Sequence, residues 1–374
     1  MSTRVFYYLL SLLLLPIFGV SYTHFKDPRL LSTIGLSIMS YFLTLYAIPR
    51  CMNAHLRRNL GGIDINKEND KENPKKVPES MGLQSSSAFL FALVIIAAFS
   101  DEKKDLYPAL VSVVITTLLG FADDVLDIPW RVKIVIPIFT VLPLVLDYNG
   151  STTICLKGFL LPLRKIFRFQ CIDIGFFYQI FICLLTVFCT HSINIYAGIN
   201  GLEAGQSFIV ACFLLFHSLY YWNVDKQAQA AATILIPFIT STFALLHFNW
   251  YPSRVFVGDT FTLTAGTTIA AAGILGHFSE MTLLFMLPQI INFVLSLPQL
   301  FGIIPCPRHR LPKRNPQTGK LEGIKTNLNV VNWWLILFGP KTEARLCVEL
   351  LCFQIFCCVG AYAVKYFYNH SLLP

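Results

Sequence analysis

The chain has 374 residues, of which 55% are hydrophobic and only 13% charged, with a mean hydropathy of +0.60, whereas soluble globular domains carry about 25% charge. That balance argues against a soluble enzyme and for an all-α polytopic membrane protein, with Phe at 32 residues suited to lipid and headgroup contact. The formal net charge of +8 lies in loops between apolar stretches, with no basic helix interleaved with aromatics. Nucleic acid is therefore set aside, and membrane topology, lipid headgroups or an anionic ligand explain the charge better.

Val5 to Tyr22 follow a single Arg4 and are apolar, which fits either a signal peptide or an uncleaved anchor. Residues 1–29 are therefore read as an N-terminal hydrophobic segment and 30–374 as one polytopic domain. Apolar segments then recur near 30–50, 84–100, 106–122, 132–148, 174–195, 204–222, 228–247, 260–277, 281–300 and 346–368. Each can cross a hydrocarbon core about 30 Å thick as a helix. The expectation is a bundle of about ten transmembrane helices.

If the spans alternate, loops 51–83, 123–131, 196–203, 248–259 and 301–345 share one side of the membrane. Those loops and the adjoining span ends hold most of the 29 Lys and Arg, so the positive-inside rule makes that side cytosolic. The glycosylation sequons at Asn149 and Asn369 both fall on the other side, in agreement with that count. Eleven cysteines form no Cys-x-x-Cys pair and mostly lie within spans as small hydrophobes. Cys155 and Cys171 share one loop on the non-cytosolic side, where a structural disulfide is compatible with the compartment.

The polar clusters all fall in or beside the cytosolic loops. Gly-Phe-Ala-Asp123-Asp124-Val-Leu-Asp127-Ile-Pro-Trp-Arg131-Val-Lys133 sets adjacent carboxylates between two apolar spans, where ionisable groups face a polar cavity, a metal or a partner charge. Hard carboxylate oxygens suit magnesium, a helix-end cap is the plain alternative, and Lys133 can hold a phosphate as a point charge. Asn194 ends a span before a Gly-containing turn through Asn200 and Gly201; its amide can ligate a cation or cap a helix. Asp259 begins another span after Gly258 and reads equally as a metal ligand or an N-cap until it is joined to the other acids. Arg308, His309 and Arg310 sit between prolines, a stiffened arrangement suited to phosphate or sugar. The edges of loop 51–83, around Gly61 to Asp64 and at Glu79, offer a pocket rim. A transporter would be expected to place its polar groups near the bilayer midplane, so one-sided clustering favours metal-assisted phosphoryl transfer at the membrane surface.

With these residues in place, the chain resembles the polyprenyl-phosphate N-acetylhexosamine-1-phosphate transferases, in particular their eukaryotic branch. The likeness rests on GFADDVLDIPWRVK, INIYAGINGLEAGQ, NWYPSRVFVGDT, GILGHFS and PCPRHRLP, in order across roughly residues 60–345. It implies transfer of N-acetylglucosamine 1-phosphate from UDP-GlcNAc to dolichyl phosphate, with release of UMP, on the cytosolic face of the endoplasmic reticulum. Magnesium ligation by Asn194 and Asp259 is implied, with Lys133 near the lipid phosphate and Asp123 and Asp124 in catalytic positions. Arg308, His309 and Arg310 would take the donor's sugar and diphosphate. Asn200, Glu79 and the edge Ile63, Asp64 and Ile65 would take the uridine end, and Asp127 the substrate region. His191 stands where the resemblance leads to Asn. Homodimerisation and tunicamycin sensitivity are further implications of the resemblance.

Overall fold

The computed structural model describes residues 3–15, 28–65, 76–100, 103–156, 166, 170–307 and 309–370. Helices dominate: α1 (Thr3–Leu10), α2 (Pro28–Arg57), α3 (Gly82–Phe99), α4 (Lys103–Leu126), α5 (Trp130–Thr140), α6 (Leu142–Leu146) and α7 (Phe176–Ile195). There follow α8 (Leu202–Tyr220), α9 (Lys226–Asn249), α10 (Gly258–Leu275), α11 (Ser279–Phe285), α12 (Leu287–Leu300), α13 (Val330–Phe338) and α14 (Glu343–His370). Among the described residues, three two-stranded antiparallel ribbons decorate the ends: β1 (Gly61–Ile63) with β2 (Lys76–Pro78), β3 (Thr153–Cys155) with β4 (Cys171–Asp173), and β5 (Lys313–Arg314) with β6 (Leu321–Glu322).

Among the described residues seven helices, α2, α3, α4, α7, α8, α9 and α14, are long and apolar enough to cross a membrane, and α11 with α12 adds an eighth crossing if the pair, bent by 68°, counts as one. Two expected spans fall short of that standard for physical reasons. The stretch 132–148 breaks between α5 and α6, where Pro137 and Pro143 deny backbone donors to a continuous helix. The stretch 260–277 is a single helix, α10, but Asp259 and its threonines lower its apolarity.

That polarity is tolerated because α10 is central. It is buried from Thr260 to Leu275 and packs against α4, α7, α9 and α3. Its hydroxyls find partners inside the bundle, with Thr264 Oγ1 2.9 Å from Thr117 Oγ1 and Thr267 Oγ1 3.2 Å from Thr190 Oγ1. Polar side chains in a membrane interior persist when paired in this way.

The two ends of the bundle differ. At one end lie β1–β2, the end of α4, the start of α5, the end of α7 and the start of α10. At the other, Cys155 and Cys171 are disulfide-bonded across β3–β4, and Tyr368 Oη, near the end of α14, donates to the Cys155 carbonyl (2.6 Å). Asn149 and Asn369 are both exposed at this end. The N-terminal segment packs onto the body as well: Phe6 and Leu10 are buried, and Tyr7 stacks on Phe243 at 5.2 Å.

Candidate active site

The site forms where four helix termini meet. Helix α4 ends at Leu126, and Asp127 just after it takes a left-handed conformation (φ 50°), a backbone state that Asp adopts more readily than most residues. The Asp127 N–H still makes the helical bond to the Asp123 carbonyl (2.9 Å), and the reversal turns the Ile128 N–H onto Asp123 Oδ1 (2.9 Å). Pro129 then leads into α5, whose first turn carries Lys133 back over the end of α4. Lys133 Nζ lies 2.5 Å from Asp123 Oδ2 and 3.1 Å from Asp259 Oδ2. The spacing in DDVLDIPWRVK thus closes an acid and a base onto one point.

Asp124 does different work. Its Oδ1 accepts the Asp259 N–H (2.7 Å), and its Oδ2 accepts the Thr260 N–H (3.1 Å) and hydroxyl (2.5 Å). An aspartate from α4 therefore satisfies donors in the first turn of α10 that the helix itself cannot pair, and places negative charge at that helix's positive end. The approach requires glycine at two points. Gly258 has φ 73°, and a Cβ there would stand 2.5 Å from Asp124 Oδ2. A Cβ on Gly120 would stand 2.7 Å from the Asp259 carbonyl oxygen.

Asn194, on the last turn of α7, donates through Nδ2 to Asp259 Oδ1 (2.6 Å). A carboxylate only accepts, so this bond fixes the amide's orientation and leaves its carbonyl oxygen for another partner. One turn earlier on α7, the buried His191 Nε2 has no hydrogen-bond partner among the described residues. No group of three or more His, Cys, Asp or Glu side chains surrounds a single point among the described residues. The donor set of one carboxylate and one amide nevertheless fits magnesium, which is commonly held by one or two carboxylates together with substrate phosphates and water.

The rim is built from β1–β2 and the loop before α10. The Phe256 N–H donates to the Pro78 carbonyl (2.8 Å), and the Met81 N–H to the Phe256 carbonyl (3.0 Å), which ties the two segments together. A Cβ on Gly62 would lie 3.3 Å from both Glu79 Oε2 and the Phe256 ring, so these three neighbours form one wall. Glu79 is exposed, but partial desolvation, followed by the charges of Asp124 and Asp259, pushes its carboxyl above the usual range.

Further along, Asp64 Oδ2 accepts Asn200 Nδ2 (2.9 Å), and Glu343 Oε1 accepts the Asn200 N–H (2.7 Å). Asn200 and Asp64 are buried, while Ile63 and Ile65 are exposed beside them. On the third arm, His309 is exposed and Arg310 half-buried, with Arg310 Nη1 donating to the Leu328 carbonyl (3.2 Å). Arg308 lies outside the described residues. Asp127 is exposed at the helix reversal.

Asp123, Lys133, Asp259 and Asn194 are therefore linked in a chain of contacts, Lys133 bridging the two aspartates and Asn194 bonded to Asp259; Asp124 sits behind them, and Asp64 with Asn200 forms a second contact. Sequence reasoning did not single out Thr260, Phe256 or Glu343 for these roles. Thr260 carried a signal, since it directly follows Asp259, whereas nothing local links Glu343 to an asparagine 143 positions away.

Comparison with known proteins adds an independent line. Residues 106–277 match the family described as Glycosyl transferase family 4. A UDP-N-acetylglucosamine--dolichyl-phosphate N-acetylglucosaminephosphotransferase of Dictyostelium discoideum is 43% identical, over 90% of this chain and 88% of that protein. Proteins of the same name from Schizosaccharomyces pombe and Saccharomyces cerevisiae are 37% and 30% identical, covering 80% and 92% of this chain and 74% and 93% of their own lengths.

Proposed function

The chain belongs to glycosyl transferase family 4, and from that membership we propose that it transfers N-acetylglucosamine 1-phosphate from UDP-GlcNAc to dolichyl phosphate, releasing UMP. The observation that carries the reading is the convergence of Asp123, Lys133, Asn194 and Asp259 at one end of the bundle. There a lipid-borne phosphate and a water-soluble donor can both reach them.

A phosphate monoester carries about −1.5 to −2 charge near neutral pH, so an acceptor oxygen can attack the donor's β-phosphorus without a strong base. The new P–O bond joins the sugar phosphate to the lipid phosphate. The bond from the β-phosphorus to the bridging oxygen breaks, and UMP leaves with that oxygen. Lys133, held between Asp123 and Asp259, orients the acceptor phosphate by charge. Asp124 acts through the α10 terminus, fixing where Asp259 points. Asn194 and Asp259 are the residues that would hold magnesium, which supplies neutralisation of the diphosphate and of departing UMP. Arg308, His309 and Arg310 take the donor's sugar and diphosphate, while Asn200, Glu79 and the Ile63–Ile65 edge take uridine.

The same reading places the protein in the endoplasmic reticulum membrane, with the site end cytosolic. Supporting it are the basic loops at the site end and, at the opposite end, a disulfide and two exposed sequon asparagines. Counting α5 with α6, α10, and α11 with α12 as one crossing each gives the expected ten spans. A homodimer rests on the family resemblance. Incubating the purified protein with labelled UDP-GlcNAc, magnesium and dolichyl phosphate tests the function; the expected products are UMP and a lipid-linked diphosphate sugar, and their absence would remove the reading.

A further inference from the structure

The arm carrying His309 and Arg310 has no regular secondary structure at its tip, yet its backbone is tied down by side-chain amides. Asn329 Nδ2 (2.8 Å) and Asn332 Nδ2 (2.9 Å) both donate to the Arg310 carbonyl, and Asn327 Nδ2 donates to the Leu311 carbonyl (3.1 Å). On the other flank, Gln299 Nε2 donates to the carbonyls of Pro305 (3.0 Å) and Thr326 (2.9 Å), while Gln299 Oε1 accepts the Leu328 N–H (2.9 Å). These four amide residues are all buried.

The amides do more than the local helix needs. Asn329 is the N-cap of α13, and its Oδ1 accepts the Asn332 N–H (2.9 Å); that contact alone would start the helix. Asn332 commits both amide hydrogens, one to Arg310 and one to Asn329 Oδ1 (2.9 Å), and its own oxygen accepts the Ile324 N–H (2.8 Å). A buried network with every member paired is rigid. The frame also aims the guanidinium, because Arg310 Nη1 is held on the Leu328 carbonyl, which Ser296 Oγ grips from α12 (3.0 Å). One edge of the fork is thereby fixed, leaving its remaining donors pre-aimed for an anion.

We propose that Asn329 and Asn332, supported by Asn327 and Gln299, are positioning residues that hold the Arg310 arm ready for the donor's β-phosphate. The inference rests on the reading of that arm as the diphosphate site. It makes the arm a preformed wall, not a loop that orders around the nucleotide.

Asn329→Asp separates this role from folding, because aspartate keeps the acceptor that caps α13 but has no N–H for the Arg310 carbonyl. Equilibrium binding of UDP and of UMP to the purified full chain, with thermal unfolding alongside, reads the difference. UDP should bind about tenfold more weakly, equivalent to about 1.4 kcal/mol, with UMP affinity unchanged and a single cooperative unfolding transition retained at a somewhat lower temperature. The milder Asn327→Ala should weaken UDP about threefold in the same selective way. Parallel losses of UDP and UMP, or no loss of either, would overturn the positioning role. Failure of the wild-type protein to release UMP in the transfer assay would instead overturn the functional reading on which it rests.

Discussion

The two sides of the site are held by opposite means. At the acid–lysine node, charge is held by charge: Lys133 lies between Asp123 and Asp259, and Asp124 caps α10 behind them. On the Arg310 arm, neutral amides hold a backbone that carries the charged side chain. Charges at the node are partners of one another, so removing one leaves the others unbalanced, most of all at the buried Asp123. On the arm, a lost amide leaves a carbonyl short of a donor while the guanidinium stays paired, a smaller and more local penalty. The node should therefore fail steeply on substitution, and the arm should be adjusted in steps.

Substitutions at both ends of the bundle would break or sharpen that contrast. Asp259→Ala removes the carboxylate shared by Lys133 and Asn194, and turnover should fall by about a thousandfold or more; chelation of divalent cations should reproduce the loss, with added magnesium restoring the wild type. Lys133→Ala leaves Asp123 and Asp259 facing each other without the ammonium that bridges them. Initial-rate kinetics should show a loss of about a hundredfold and a raised KM for dolichyl phosphate, and unchanged values for both would free Lys133 from the acceptor role.

Asp124→Asn should cost less, about tenfold, because the amide keeps one acceptor for the α10 terminus and loses the other. Its signature is a higher magnesium concentration for half-maximal rate with the UDP-GlcNAc KM unchanged, and Thr260→Ser should remain near wild type because it preserves the hydroxyl on Asp124. The smallest effect on rate belongs to the paired change Cys155→Ser and Cys171→Ser at the opposite end. Turnover should be unaffected while thermal unfolding moves down, in keeping with about 3 kcal/mol from closure of a loop of about 15 residues.

Much of the node could be read from sequence, because topology counts spans and puts Asp123, Asp124, Asn194 and Asp259 on one face without any distance being known. The division of labour between the adjacent acids could not be read. Asp123 and Asp124 point to different partners, one to Lys133 and one to α10, and that depends on how closely Gly120 lets two helices approach. The arm's frame was hidden for another reason. Asn329 and Asn332 look like ordinary helix-start residues, and only the fold brings the Arg310 carbonyl onto them. Hydropathy located α10 but could not say that its threonines bond inward to α4 and α7. Prolines in 132–148 were visible, yet the break between α5 and α6 required the turn at Val141.

The central claim, that this node transfers a sugar phosphate and not a bare sugar, is tested most directly by UDP-GlcNAc labelled at the β-phosphorus. With purified protein, magnesium and dolichyl phosphate, the account predicts that the label moves into the lipid product and that unlabelled UMP is released in equal amount. Label retained in released UDP, with sugar on the lipid, would contradict it.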